Sequence, residues 1–104
     1  MVSRGEVWWA GPLGEARRPF LVVTRDAVIP HVNAVLGIPA SRTIRGHRSE
    51  VLLDADDGMP ADCAVNADRL TLVAHERLET RICTLTPPRM RGVCRAIRVA
   101  TGCD

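Results

Sequence analysis

Two adjacent arginines, Arg17 and Arg18, stand just before an apolar stretch of the chain and could together hold an anion. Residues 19–24 form a nearly continuous apolar run, which predicts a central strand buried on both faces. A guanidinium is planar, stays charged and donates several hydrogen bonds, so it suits a phosphate group. The two residues could instead be an exposed pair beside a core strand, and on their own they favour that plainer interpretation.

A second apolar run ends in hydroxyl groups. Residues 34–38 predict another strand, and Ser41, Arg42 and Thr43 follow it after a proline. A cation at the start of one strand and hydroxyls at the end of the next could bind one phosphate jointly. The polar loop that follows adds further basic side chains, which are Arg45, His47 and Arg48.

The composition predicts one small domain over residues 1–104. A chain of this length buries only about two-thirds of its unfolded surface, so a partner subunit would stabilise it. The net charge is a mild +2, but all 14 basic residues are arginine. A genome rich in G and C explains that bias better than selection for phosphate binding does, and the clustering after residue 41 is the more informative feature.

The order of the elements predicts many short strands followed by one helix. Further strands are predicted over residues 5–10, 50–53, 63–65, 70–73 and within 78–85, with a loop over 11–16 and an acidic turn over 54–62. Thr86 can cap a helix that begins at Pro87 and ends at Gly102. We therefore predict a mainly β, α+β fold, in which a small curved antiparallel sheet or SH3-like barrel packs against a C-terminal helix.

The sequence predicts neither a cofactor nor a membrane span. The four cysteines have no C-x-x-C pairing and no histidine at zinc-ligand spacing, so we expect reduced, mostly buried thiols and no metal site. No run approaches the roughly 18 apolar residues of a transmembrane helix. The first residues are charged and then strand-like, unlike a signal peptide, so we expect a soluble cytoplasmic protein.

Several motifs, in order along nearly the whole chain, resemble those of the MazF/PemK-type toxins of bacterial toxin–antitoxin modules. The matching segments are residues 4–8 (RGEVW), 18–19 (RP, before an apolar strand), 38–41 (IPAS), 49–53 (SEVLL) and 64–70 (AVNADRL). The chain departs from the family in three places: the loop after Trp9 is shorter, Ser41 replaces a threonine, and Arg69 replaces a glutamine.

The resemblance implies a metal-independent, sequence-selective endoribonuclease that cuts single-stranded RNA to a 2′,3′-cyclic phosphate and a 5′-hydroxyl. It implies that Arg18 and Ser41 are catalytic, as donors to the charge that develops on the phosphate. The general base stays open. Arg18 is the family candidate, whereas His47 is the candidate from residue chemistry because histidine titrates near neutrality; His47 could also be a solvated loop residue.

The resemblance also implies the partners. The substrate-binding residues would be Arg17, Arg42, Thr43, Arg45, His47 and Arg48, and Trp8 or Trp9 could stack a base unless it lies in the core. A homodimer is implied, together with a cognate MazE-like antitoxin that has an acidic disordered tail. Two alternatives remain: a non-enzymatic, CcdB-like toxin that binds a protein such as gyrase, and an inactive member that only binds an antitoxin.

Overall fold

The computed structural model describes residues 1–11 and 16–103, which form an antiparallel sheet of seven strands and one α-helix. The elements are β1 (Glu6–Ala10), β2 (Arg18–Val22), β3 (Ala34–Ser41), β4 (Glu50–Leu53), β5 (Cys63–Asn66), β6 (Thr71–Ala74), β7 (Leu78–Thr84) and α1 (Pro87–Thr101). The strand order is β4-β5-β3-β2-β1-β7, and β6 pairs with the first half of β3. The predicted α+β fold with a curved antiparallel sheet and a C-terminal helix is confirmed. The loop predicted over 11–16 lies mostly outside the described residues.

Two strands are longer than the sequence predicted. Strand β3 continues through Pro39 to Ser41, where the prediction ended it at Ile38. Proline is tolerated there because β3 changes partner between Gly37 and Ala40, from β6 to β5, so no ladder bond on that side needs the missing N–H. Residues 78–84 form one strand with no turn inside it, and a single 3-10 turn precedes that strand.

The main core lies between the sheet and α1. Leu21, Ile38 and Val65 come from three adjacent strands and are at most 1% exposed, and Val93 of the helix is fully buried against them. Burying each such side chain contributes about 1.5–3 kcal/mol. Thr86 caps the helix through a hydrogen bond from the Arg89 N–H, as predicted. One face of the sheet is therefore packed against the helix, whereas Phe20 and Val22, on the other face, belong to two smaller buried clusters.

The cysteines are less buried than predicted. Cys63 is buried and all four are free thiols, but Cys83 and Cys94 are half-buried and Cys103 is exposed after the helix. Burial raises the pKa of the Cys63 thiol, with a smaller contribution from nearby carboxylates. Among the described residues, no helix has the length and apolar character needed to span a membrane.

Candidate active site

Strand register brings four polar side chains to one face of the sheet, opposite the helix. Side chains alternate along a strand, so Arg18 on β2 and Ser41 on β3 share a face with Asn66 on β5 and Glu50 on β4. The pairs that define this register are Phe20 with Pro39, Ser41 with Ala64, and Glu50 with Asn66. Residues that are far apart in sequence therefore meet on this face, at the end of the sheet where β3 leads into the 42–48 loop.

A cavity of about 180 Å³ opens between these side chains. Its lining consists of Arg18, Pro39, Ser41, Thr43, Arg45, Glu50, Ala64, Asn66 and Arg69. The lining contains three arginines and one glutamate, so the cavity carries a net positive charge at neutral pH. Its chemistry suits an anionic ligand rich in oxygen acceptors.

Arg18 has a hydrogen-bond donor that no described residue satisfies. The side chain is half-buried at the start of β2, and its Nε is buried without a partner among the residues that the structure describes. A buried donor left unpaired destabilises a fold by about 1–3 kcal/mol. An anion in the cavity would remove that penalty, so Arg18 is prepared for a ligand before the ligand binds.

Ser41 is oriented by its own loop. Its Oγ accepts a hydrogen bond from the Thr43 N–H at 3.1 Å, which fixes the oxygen at the end of β3. That bond uses a lone pair and leaves the hydroxyl proton free to be donated into the cavity. Ser41 can therefore act as a neutral second donor beside the charged Arg18.

Glu50 holds the 42–48 loop against the sheet. Its carboxylate accepts hydrogen bonds from the Arg45 N–H at 3.2 Å to each oxygen and from the His47 N–H at 3.0 Å. Burial alone would raise the pKa of Glu50, but the N–H groups of Arg45, His47 and Gly46 outweigh burial and hold it below its ordinary value. The group is therefore charged at neutral pH and anchors the loop.

Glu50, Asn66 and Arg69 were not identified as site residues from the sequence. The register of β3, β5 and β4 is needed to place Glu50 and Asn66 on the Arg18 face, and Arg69 joins them only as part of the cavity lining. A weak signal existed for Arg69, since it stands where similar toxins have glutamine.

The predicted substrate-binding residues are distributed around the cavity. Thr43 and Arg45 line it with Arg18 and Ser41. Arg42 lines a neighbouring cavity of about 80 Å³ that shares Ser41, and Arg48 lines another of about 310 Å³ beside α1. His47 is exposed on the loop, and its side chain is not among those lining the cavity of Arg18.

Arg17 points away from the Arg18 cavity. Its Nε lies 2.7 Å from Glu79 Oε1 in an exposed ion pair, and its guanidinium carbon lies 5.2 Å from the centre of the Trp9 ring. Trp9 is half-buried and lines the smaller cavity that contains Arg42. Trp8 packs beside a buried cluster and donates its indole N–H to Glu6 Oε1 at 3.0 Å.

Other parts of the described surface lack this combination. A larger cavity, of about 650 Å³, is lined by residues that include His75 and Glu76 but no arginine. Among residues 1–11 and 16–103, no group of three or more His, Cys, Asp or Glu side chains is arranged to hold a metal ion. The cavity around Arg18 is the one that gathers several cations and hydroxyls.

Comparison with known proteins identifies relatives along the whole chain. Residues 3–101 match the family model described as PemK-like, MazF-like toxin of type II toxin–antitoxin system. The chain is 42% identical to the probable endoribonuclease MazF5 of Mycobacterium tuberculosis, over 98% of this chain and 94% of that protein. It is 40% identical to the probable endoribonuclease MazF2 of the same species, over 98% of this chain and 100% of that protein.

Solved structures give the same picture. An endoribonuclease in complex with its cognate antitoxin, from a mycobacterial species, superposes with a TM-score of 0.91 at 25% identity, covering 100% of this chain and 98% of that one. The Mycobacterium tuberculosis toxin MazF-mt6 superposes with a TM-score of 0.88 at 28% identity, covering 95% and 98%. MazF in a MazE–MazF complex of Deinococcus radiodurans has a TM-score of 0.82 at 20% identity, over 99% and 97%, which supports the fold.

Proposed function

The chain belongs to the PemK-like, MazF-like toxins of type II toxin–antitoxin systems, and we propose that it is the toxin that cleaves single-stranded RNA at the Arg18 cavity. It is an endoribonuclease, like the full-length relatives at 40–42% identity whose names say so. We propose further that the cut is sequence-selective, needs no metal, and leaves a 2′,3′-cyclic phosphate and a 5′-hydroxyl.

The observation that carries the proposal is the buried Arg18 Nε, which no described residue satisfies, together with the hydroxyl proton of Ser41. In the proposed step the ribose 2′-oxygen attacks the adjacent phosphorus, and the bond from phosphorus to the 5′-oxygen breaks. Negative charge grows on the nonbridging oxygens as the new bond forms. Preorganised donors aimed at those oxygens stabilise the transition state more than the ground state.

The proton of the attacking 2′-hydroxyl needs an acceptor, and we propose Glu50. The arginines around the cavity cannot accept a proton at neutral pH because a guanidinium group stays protonated there. Glu50 is ionised and lines the cavity, whereas the His47 imidazole lies outside its lining. The departing 5′-oxygen takes its proton from water or from an adjacent donor.

The 42–48 loop, which Glu50 holds beside the cavity, supplies affinity for RNA in this proposal. Arg42, Arg45 and Arg48 would contact the RNA backbone there, giving affinity that falls with salt but little discrimination between bases. Trp9, beside Arg42, offers a flat surface on which a base could stack.

The proposed protein partners are a cognate antitoxin and a second copy of the chain. A mycobacterial relative at 25% identity is described in complex with its cognate antitoxin, and an acidic disordered tail would complement this arginine-lined cavity. For the homodimer, Leu36 and Leu72 face each other across β3 and β6 and are 41% and 68% exposed. Such an exposed apolar pair is stabilised by burial against another subunit.

The direct test is to incubate the purified protein with a long single-stranded RNA in excess EDTA. We expect discrete fragments whose ends are a 2′,3′-cyclic phosphate and a 5′-hydroxyl. Arg18→Ala, purified in the same way, controls for a contaminating nuclease. Loss of cleavage on chelation, or equal cleavage by the variant, would contradict the proposal.

A further inference from the structure

The side chain of Asn66, at the end of β5, is fixed in one orientation. Its Oδ1 accepts a hydrogen bond from the Asp68 N–H at 2.9 Å and lies 3.3 Å from Ser49 Oγ. Because a main-chain N–H can only donate, the atom facing it must be the amide oxygen and not the nitrogen. The Asn66 NH2 group is therefore turned away from this turn.

Buried neighbours support that orientation. Ser49 is only 3% exposed, and its hydroxyl donates to Asp68 Oδ2 at 2.7 Å, a shorter contact than the 3.3 Å to Asn66 Oδ1. The Ser49 carbonyl in turn accepts from the Ala67 N–H at 2.8 Å. This network ties β4 to the turn after β5, so Asn66 has little freedom to rotate its amide.

The free NH2 group borders the cavity of Arg18. Asn66 is part of its lining, and its Nδ2 makes no hydrogen bond to another described residue. Ser41 lies opposite Ala64, so Asn66 is the diagonal neighbour of Ser41, about 7–8 Å away between Cα atoms. A phosphate lying between the two strands would be within reach of both side chains.

We infer that Asn66 is a further catalytic residue, whose NH2 donates to a nonbridging oxygen of the scissile phosphate beside Arg18 and Ser41. The inference rests on the proposed RNA cleavage. A phosphate oxygen is the acceptor, rather than a base carbonyl, because Arg18, Arg45 and Arg69 surround the same cavity. Three cations around one cavity attract the phosphate itself, and Asn66 adds a neutral donor at a fixed position.

Two substitutions separate this role from the support that Asn66 gives the fold. Asn66 caps the 3-10 turn Ala67–Arg69 through its oxygen, and serine and aspartate cap equally well. Asn66→Ser removes the NH2 without adding charge, and Asn66→Asp replaces it with an oxygen that cannot donate. Asn33→Asp, on the exposed segment before β3, is the matched control for an added negative charge.

We expect Asn66→Ser to lower kcat by about 10²-fold, with KM within about threefold and the melting temperature unchanged. Asn66→Asp should be slower still, while Asn33→Asp cleaves at the wild-type rate. The second measurement uses RNA with sulfur in place of one nonbridging oxygen. One diastereomer should slow the wild type, and the same substitution should have a smaller effect on Asn66→Ser, because the bond is already lost.

Three outcomes would overturn the inference. These are cleavage by Asn66→Ser at the wild-type rate, a sulfur effect as large in the variant as in the wild type, and a changed cleavage-site preference with an unchanged sulfur effect. The last would place a base against Asn66. Wild-type protein that cuts no RNA would instead contradict the proposed function, so the two failures are distinguishable.

Discussion

Replacement of Arg18 by alanine should remove activity without removing stability. The Arg18 Nε is buried without a partner among residues 1–11 and 16–103, so we expect its benefit to be realised when an anion occupies the cavity. Loss of one preorganised donor typically lowers kcat by about 10²–10³, or about 2.7–4 kcal/mol. A charge-assisted bond is roughly twice as strong as a neutral one. We therefore expect Arg18→Ala to lower kcat by about 10³-fold, and Ser41→Ala to remain about tenfold faster than Arg18→Ala.

The stability effect of Arg18→Ala should be smaller than that of most substitutions in a sheet. Removing the guanidinium relieves an unsatisfied buried donor worth about 1–3 kcal/mol, and this offsets the packing lost with the aliphatic stem. We therefore expect a free energy of unfolding within about 1 kcal/mol of the wild type, or higher. Single-turnover cleavage at saturating RNA, with urea unfolding curves alongside, measures both quantities.

Arg91→Ala, on the exposed side of α1, is the control for the loss of one positive charge. It should cleave at the wild-type rate. If Arg18→Ala cut RNA as fast as Arg91→Ala did, Arg18 would have no part in the reaction. If Arg18→Ala lost several kcal/mol of stability, Arg18 would support the fold instead of the reaction.

Three further predictions follow from the charged and apolar groups around the sheet. Glu50→Gln keeps an oxygen acceptor for the loop but removes the proposed base. Its kcat should fall by about 10²-fold, and the acidic limb of the pH–rate profile should disappear. An unchanged pH profile would exclude Glu50 as the proton acceptor. Leu72→Glu should shift the protein from dimer to monomer in light scattering at micromolar concentration, since a charge would enter an apolar contact; an unchanged mass would contradict the proposed surface. Glu6 is 5% exposed, and although burial raises its pKa, hydrogen bonds from Trp8, Ser3 and Arg81 lower it below 4.5 overall. The wild type should therefore have a larger free energy of unfolding than Glu6→Gln above pH 4.5, and should lose that advantage as the pH falls through the lowered pKa. Urea unfolding at several pH values measures it, and an advantage of the wild type that grew as the pH fell would contradict the prediction.

The fold could be predicted largely from local signals. The apolar run after Arg18 became the fully buried centre of the sheet, and the Thr86 cap, the two prolines and Gly102 set the limits of α1. The end of β3 was predicted too early because a proline, here Pro39, normally ends a central strand. Only the change of partner from β6 to β5 makes that proline acceptable, and partner choice is a long-range property.

The site was harder to predict because it depends on register. Arg18 and Ser41 were identified from their chemistry and from the resemblance to a family, but nothing local indicates that Asn66 and Glu50 share their face. A shift of one residue between β3 and β5 would turn Asn66 to the opposite side of the sheet. Clustering in sequence was also misleading for Arg17, whose partners are Glu79 and Trp9 and which points away from the cavity.

The central claim is that the Arg18 cavity promotes attack by the ribose 2′-hydroxyl on the neighbouring phosphate. The most direct measurement maps the preferred cut in a long RNA, then compares a short RNA containing that site with one in which a single 2′-hydroxyl at the cut is replaced by hydrogen. We expect the all-ribose strand to be cleaved in excess EDTA and the singly deoxy strand to stay intact at that bond while still binding. Cleavage of the deoxy strand at the same bond would show that the 2′-hydroxyl is not the nucleophile.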